Sequence, residues 1–563
     1  MLWKQNPTPD PNLVSQLEAE LQVPSILAAL IVQRGITNYD EAKLFFRPEA
    51  SHLHDPFLMQ DMDRAVQRIN KAIASQEKIM VFGDYDVDGT TAVALVAQYL
   101  NQEIDVTTYI PDRYKEGYGI SKAGIDHAHS IKITLIIALD CGIKALDKVE
   151  YAKALGIDFI VCDHHLPGEK LPLAVAVLDP KRYDCNYPYK ELCGCGIGFK
   201  LIQALHQQKG NSIETLYSYL DLVAIAIAAD IVPITGENRV LCHLGIEQFR
   251  KHPRIGLQYF LQNLKTPIKV SDLVFKIAPR INAAGRMEQG HSAVELLMAE
   301  EVEQALGIAR SIEFFNTERR TADERITKEA LQQIILQEDE NAAATVVYHP
   351  SWHKGVIGIV ASRLIETYYR PTVVLTDSEG VISGSVRSVS GFDVYQALTA
   401  CELHMIQYGG HKYAAGLTLA KEQYQEFKNA FEKVVSDRLE ESQKVPTLGY
   451  DFPIHFDAIT TKFYRIIQQM APFGPQNMHP TFVTHGCKDA GGTRNVGKEQ
   501  NHLKLEIVDE DGSVMQGIGF GMGHHLHTIK GQTPFSILYT VEENEFNGIK
   551  QLQLKVKDIR FEP

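Results

Sequence analysis

The chain contains no apolar run near the ~18 residues that a membrane-spanning helix needs. The best stretch, residues 222–229, is short and ends at Asp230. The opening Met1-Leu2-Trp3-Lys4-Gln5-Asn6-Pro7 lacks the apolar core of a secretion signal. Cysteine is scarce for 563 residues: eight in all, with Cys141, Cys162, Cys193 and Cys195 in apolar or glycine-rich settings. That usage reads as reduced thiols and not as a disulfide framework. The expectation is a soluble, cytoplasmic protein. There is no internal repeat, no low-complexity segment and no long block of one charge sign, so disorder is not expected. Basic charge is also in deficit. A net charge of −14 excludes a chain coated in lysine and arginine for non-specific nucleic-acid binding. It leaves room for a local cationic groove, because clustered metal-binding carboxylates distort the total.

An apolar content of 45% is enough for several cores, and the length predicts about three to five domains. Residues 1–50 read as a helical lead-in, with a short helix over 39–46 capped by Asn38 and stopping before Pro48. Residues 51–240 alternate strand and helix patterns. Strands are expected at 78–83, 106–110, 133–139, 158–161 and 174–178, with helices at 90–100 and 145–155. Such alternation predicts βαβ units and a parallel sheet. Residues 241–340 are mostly helical in pattern, with a long connecting helix over 310–336. A second α/β block spans 341–440, with strands at 345–348 and 372–375 and the glycine-rich Gly409-Gly410-His411. From 445 to 563, short strands such as 503–508 and 551–556 predict a small β-barrel or sandwich.

Acids sit where these strands end. Asp84, Asp86 and Asp88 follow the first, Asp140 another, and Asp163, His164 and His165 a third. Open α/β sheets bind ligands beyond the carboxyl ends of their strands, so parallel strands bring such residues together. Asp230 joins them at the end of its apolar run. Crowded carboxylates repel unless a cation sits among them. Carboxylates with an imidazole suit manganese or magnesium. There are enough ligands for two ions, an arrangement used to hydrolyse phosphate esters.

Each residue alone has a plainer reading. A single Asp after a strand is ordinarily a turn former or helix cap, as Asp88 would be for the 90–100 helix. Calcium is a sharper rival, since Asp84-x-Asp86-x-Asp88-Gly89 matches the opening of an EF-hand loop. The twelfth position of that loop is Leu95, not a bidentate Glu, and a strand precedes it, so the EF-hand is rejected. Cys185, Cys193 and Cys195 lack the paired spacing of a zinc site and read as buried thiols.

Asp84-Tyr85-Asp86-Val87-Asp88-Gly89, Asp140-Cys141-Gly142 and Cys162-Asp163-His164-His165 resemble the successive motifs of the DHH phosphoesterase superfamily. Further segments carry a closer resemblance, to the bacterial exonucleases that degrade single-stranded DNA 5′ to 3′. They are Ile110-Pro111-Asp112-Arg113, Glu116-Gly117-Tyr118-Gly119, Pro279-Arg280-Ile281-Asn282-Ala283-Ala284-Gly285-Arg286-Met287, Gly384-Ser385-Val386-Arg387-Ser388, Gly409-Gly410-His411 and Phe473-Gly474-Pro475-Gln476-Asn477. The resemblance implies a DHH domain with a parallel sheet, a DHH-associated α/β domain beyond a long helix, and a C-terminal OB-fold. It implies manganese or magnesium on Asp84, Asp86, Asp88, Asp140, His164 and Asp230. Catalytic roles fall to His164, His165 and Asp140. Substrate contacts fall to Arg113, Arg280, Asn282, Arg286, Ser385, Arg387, Gly409, Gly410 and His411, with Arg113 on the 5′ phosphate. The implied partners are single-stranded DNA, a single-strand-binding protein and a RecQ-type helicase, acting on a monomer in repair and recombination. Composition does not show the OB-fold's role, because acids slightly outnumber bases after residue 450.

One position departs from the superfamily pattern. Many members carry a histidine four residues before the second Asp of the first motif, where this chain has Phe82. Asp84 then shares the metal role, and the division of ligands between two ions stays open. The alternatives are a DHH phosphodiesterase acting on short oligonucleotides or cyclic dinucleotides, and a non-catalytic scaffold that has lost its ligands.

Overall fold

A computed structural model describes residues 1–563 apart from 263–266, 288, 289, 338, 532, 547, 562 and 563. Residues 79–178 hold a five-stranded, all-parallel sheet. Its order is Val106–Tyr109, Ile79–Gly83, Leu135–Leu139, Asp158–Cys162, Ala176–Leu178. Helices cover both faces, so Ile79–Gly83 and Leu135–Leu139 are buried at every residue. Chain order reverses between these two strands, which makes their carboxyl ends the switch point where such sheets bind ligands. Asp84 and Asp140 leave the sheet there.

Helix boundaries differ from the sequence reading by a few residues, with one consequence. The helix expected at 90–100 runs Val87–Leu100, and its cap is Asp86, whose side chain accepts from Gly89 N at 3.1 Å. Asp88 is therefore inside the first turn and is not the cap. Asn38 caps Tyr39–Phe46 as its position predicts, accepting from Glu41 N. The connecting helix is longer than expected, Val302–Leu336, 35 residues and about 50 Å at 1.5 Å per residue.

The second α/β block holds a mixed sheet ordered Gln407–His411, Ala414–Leu419, Val381–Arg387, Thr372–Ser378, Thr345–Tyr348. The glycines at 409 and 410 do not form a loop; they lie in its edge strand, paired with Gly416 and Ala415. Beyond residue 450 five strands close into a ring of pairings. Phe482–Asp489 pairs with both Phe535–Phe546 and His502–Val508, and Val514–Gly519 and Ile549–Phe561 complete the circuit. Closure removes the free edges of the sheet.

The lead-in at 1–50 contains a strand that periodicity missed. Leu2–Gln5 pairs in parallel with Thr447–Tyr450. Leu27 and Leu30 from this lead-in pack into the barrel core and not onto the neighbouring catalytic block. Among the described residues no helix is long and apolar enough to cross a membrane.

One buried polar network ties the segment after the lead-in, at His54, to helices Gly194–Gln208 and Gly236–Lys251. Lys200 and Glu237, both essentially inaccessible, pair at 2.6 Å. Lys200 also donates to His54 O and Gln203, while Glu237 accepts from His54 N and the Tyr187 hydroxyl. Removing one partner strands the other charge, which costs about 3–5 kcal/mol in buried pairs. Lys200→Met is expected to lose stability on that scale by urea denaturation. Adding Glu237→Gln should recover part of it, because the stranded carboxylate is then gone.

Candidate metal centre and phosphate cavity

Three strand ends and one helix end converge. His164 Nε2 lies 3.2 Å from Asp140 Oδ1, 3.6 Å from Asp230 Oδ2 and 3.9 Å from Asp88 Oδ2. Two overlapping sets therefore offer ligand atoms within 4.8 Å of one another: Asp140, His164 and His165, and Asp88, His164 and Asp230. His164 is common to both. Asp84 and Asp86 fall outside these sets, on the side where Asp86 lines the adjoining cavity.

Local backbone explains each placement. Asp140 adopts a left-handed conformation, φ 58°, which turns its carboxylate back over the sheet. The amino end of helix Gly194–Gln208 presses against it. A Cβ on Gly194 would lie 2.6 Å from Asp140 Oδ1, so only glycine fits there. The same helix end donates Gly194 N and Cys195 N to the two Asp88 oxygens, both at 2.7 Å. Asp84 Oδ1 accepts from Gly119 N at 3.1 Å. Asp230 caps the carboxyl end of helix Leu220–Ala229, and Ile231 after it takes a left-handed φ of 59°.

This cluster is under electrostatic strain. Burial pushes Asp84 up to about 8, with Asp86 adding repulsion. Burial and then Asp86 raise Asp88 to about 7, and burial with Asp88 raises Asp230 to about 8. Asp140 is driven well above the carboxylate range by burial and then by Asp88, Asp86 and Asp230. Burial depresses His164 to about 3, which keeps it neutral, the form that ligates metal. Among the described residues, Asp84 Oδ2 and Asp140 Oδ1 are buried without a hydrogen-bond partner. Buried oxygens without donors are costly, and a divalent cation is the partner this donor set lacks. Among the described residues the buried thiols nearby are in neither set.

One acid that the sequence reading named without a role, and one that it missed, also belong here. Asp163 is not aimed at His164. It accepts from the backbone N–H groups of Ile143, His164 and His165, and its Oδ1 sits 2.7 Å from His165 Nδ1. Burial pushes Asp163 up, but the His165 imidazole outweighs it and holds the carboxyl low; His165 in turn is raised. Asp179, after Ala176–Leu178, is fully buried, and burial lifts it to about 7. Its signal was available, since it too follows a strand of the sheet.

Beside the acids lies a cavity of about 880 Å³ between the two α/β blocks. One wall carries Tyr85, Asp86, Arg113, Tyr118 and Arg286, and the other Ser385, Arg387, Gly409 and Gly410. Arg113 stacks over Tyr85 at 4.7 Å. Arg286 donates to Gly355 O, and Arg387 to Ser385 Oγ and Val386 O. Burial lowers Arg286 to about 10, with Arg113, Arg319 and Arg387 adding repulsion, and burial and then Arg113 lower Arg387. Guanidinium groups that repel one another suit an anion. Gly355, Ile357 and Gly358 bring the amino end of helix Ile357–Thr367 to the same space, a feature that sequence reading missed. Three other expected contacts lie elsewhere. Arg280 is held by Glu313 of the long helix, Asn282 is half-buried outside the cavity lining, and His411 is exposed at its hairpin end.

Models of known families match three segments: the DHH family N-terminal domain over 78–227, the DHHA1 domain over 339–437 and the RecJ OB domain over 450–558. The single-stranded-DNA-specific exonuclease RecJ of Bacillus subtilis is 35% identical over 98% of this chain and 70% of its own length. That of Dickeya dadantii is 32% identical over 97% of this chain and 99% of its own. The chain belongs to the RecJ family. Its backbone agrees with this. The Mn2+ complex of RecJ from Thermus thermophilus superposes with a TM-score of 0.86 at 25% identity, covering all of this chain and 80% of that one. A second RecJ structure, bound to manganese, matches 69% of this chain and 97% of its own at 31% identity, with a TM-score of 0.61. The RecJ family thus accounts for the parallel sheet, the second α/β block and the barrel together.

The raised carboxylates set a pH dependence. In the unfolded chain they lose protons near pH 4, whereas Asp84, Asp88 and Asp230 in the native state hold theirs to about 7–8. Between those values the native state binds more protons, so its stability is full below about pH 4 and falls as pH rises through 7–8. The melting temperature in EDTA is expected to fall across that window. Added Mn2+ should raise it more at about pH 8 than at about pH 6, because cation and protons compete for the same oxygens. Equal Mn2+ effects at both pH values, read by differential scanning fluorimetry, would contradict the site.

Proposed function

We infer that this protein is a metal-dependent exonuclease that degrades single-stranded DNA from its 5′ end to mononucleotides, in DNA repair and recombination. The observation that carries this reading is the contact between a carboxylate–histidine cluster and an arginine-lined cavity, built from two blocks of a chain in the RecJ family.

Asp84, Asp86, Asp88, Asp140, His164 and Asp230 are the residues that would hold the ions. The oxygen-rich donor set with a neutral imidazole fits manganese or magnesium, and the orphaned oxygens of Asp84 and Asp140 support the fit. When bound, such ions activate water and stabilise charge developing on a phosphodiester. The protein's own groups do the rest. His165, fixed by Asp163, presents its other ring nitrogen 3.3 Å from the Tyr118 hydroxyl and can donate a proton to a phosphate oxygen. Arg113, Arg286, Arg387 and Ser385 bind the 5′ phosphate, and the backbone of Gly409 and Gly410 approaches it from the second block. His411, at the open end of its hairpin, meets the strand's backbone further out. Arg280 and Asn282 serve the helix behind the cavity. In this reading the cavity between the two blocks takes one strand and is too narrow for a duplex. The barrel guides the incoming strand by stacking and backbone contacts. A nuclease that requires unpaired DNA depends on unwinding and coating proteins, here a RecQ-type helicase and a single-strand-binding protein. It works as a monomer in the cytoplasm, in keeping with its buried cysteines.

The deciding experiment is Mn2+-dependent digestion of single strands labelled at either end, with and without a 5′ phosphate. Early release of the 5′ label and preference for the phosphorylated end are expected. Faster cleavage of a dinucleotide than of the long strand would instead favour a short-oligonucleotide phosphodiesterase. Asp140→Ala and His164→Ala should abolish cleavage while single-strand binding survives. Arg387→Ala should raise KM for the 5′-phosphorylated strand about tenfold and erase its advantage over the 5′-hydroxyl strand.

A further inference from the structure

We propose that Asn477 and Gly474, in a loop at the edge of the barrel, are positioning residues for Asp230, so that the barrel tunes the metal centre as well as guiding DNA. The proposal rests on the reading of Asp230 as a metal ligand.

The turn after Asp230 is unusual. Ile231 is a β-branched residue at φ 59° and is exposed. That conformation costs about 1–3 kcal/mol and persists only where the surroundings impose it. The next residues supply the restraint. Ile234 N donates to Pro475 O at 2.9 Å, and the Ile234 side chain packs on Gly474 so closely that a Cβ there would lie 2.4 Å from its Cδ1. Asn238 and Tyr189 both donate to Pro233 O from behind.

The loop that reaches Ile234 is itself rigid. Gly474 and Asn477 exchange backbone hydrogen bonds at 3.0 and 2.9 Å. The buried Asn477 amide donates to Met470 O and Pro472 O, and its oxygen accepts from Arg34 Nε. Arg239, one turn into the helix that follows the Asp230 turn, spends its guanidinium on the carbonyls of Phe45, Met470, Ala471 and Pro472. It also lies 3.8 Å over the Phe45 ring. Lead-in, barrel loop and Asp230 turn are therefore locked in one unit. The Phe473–Asn477 motif stood out in the sequence, and no contact with the cavity accounts for it.

The test uses the full-length chain, freed of metal, with Mn2+ binding read by titration calorimetry in the absence of DNA. Gly474→Ala drives a methyl into Ile234. It should weaken Mn2+ binding about tenfold, the scale of lost outer-sphere support, and raise the Mn2+ needed for half-maximal cleavage in parallel. Binding of oligo(dT) in EDTA should change less than about twofold. Ile234→Val removes the obstructing Cδ1, so the double variant should regain most of the lost affinity. Asn477→Asp keeps the acceptor for Arg34 but loses both donors, and should shift Mn2+ affinity in the same direction. Unchanged Mn2+ affinity in folded Gly474→Ala and Asn477→Asp overturns the proposal, as does failure of Ile234→Val to restore Gly474→Ala. Failure of the underlying assignments reads differently. Asp230→Asn with undiminished Mn2+ binding removes the ligand assignment, and wild-type chain that binds Mn2+ but cuts no DNA removes the nuclease reading alone.

Discussion

Mutual repulsion among buried carboxylates governs this molecule. Asp84, Asp88, Asp140 and Asp230 could not share a low-dielectric site as free anions, and burial pushes each of them up. The surrounding fold answers that one problem several times. A helix amino end gives Asp88 two short hydrogen bonds, Gly119 gives Asp84 one, and Asp163 is neutralised by His165 and three backbone donors. What stays unanswered, the orphaned oxygens of Asp84 and Asp140, is what a cation would meet.

The neighbouring cavity shows the opposite sign of the same imbalance. Its arginines crowd and repel one another, next to acids that do the same. A strand of nucleic acid crossing the boundary meets phosphate-binding charge on one side and metal-binding charge on the other. The two α/β blocks each contribute one wall, and the long Val302–Leu336 helix connects them.

Much of this was legible in the chain. Parallel strands and their terminal acids show through because buried strands are short, apolar and β-branched, and because strand direction alone fixes where their ends fall. Asp140 and His164, on separate strand ends, were thereby brought together. Local helix chemistry was less transparent. Asp86, not Asp88, begins the Val87–Leu100 helix, since Asp88 is drawn to Gly194 and Cys195, over a hundred positions away. Arg280 looked like its neighbour Arg286, but a glutamate on another helix holds it. Gly409 and Gly410 stood out only as a glycine-rich run; here they lie in an edge strand that pairs through backbone alone. Long-range pairing between weakly patterned segments, as at Leu2–Gln5, leaves no periodic trace.

That last pairing bears on how the protein is made. Leu2–Gln5 pairs with Thr447–Tyr450, and Asn6 bonds Asp451, 445 positions further on. At about 5–20 residues per second, a ribosome needs roughly 20–90 s to travel from one to the other. Throughout that interval the earliest strand is synthesised but unpaired, with open backbone donors and acceptors. Leu27 and Leu30 wait as well, for barrel strands made far later than they are. The lead-in thus settles only after residues that follow the two α/β blocks, and nascent chains halted before residue 447 should carry it unpaired.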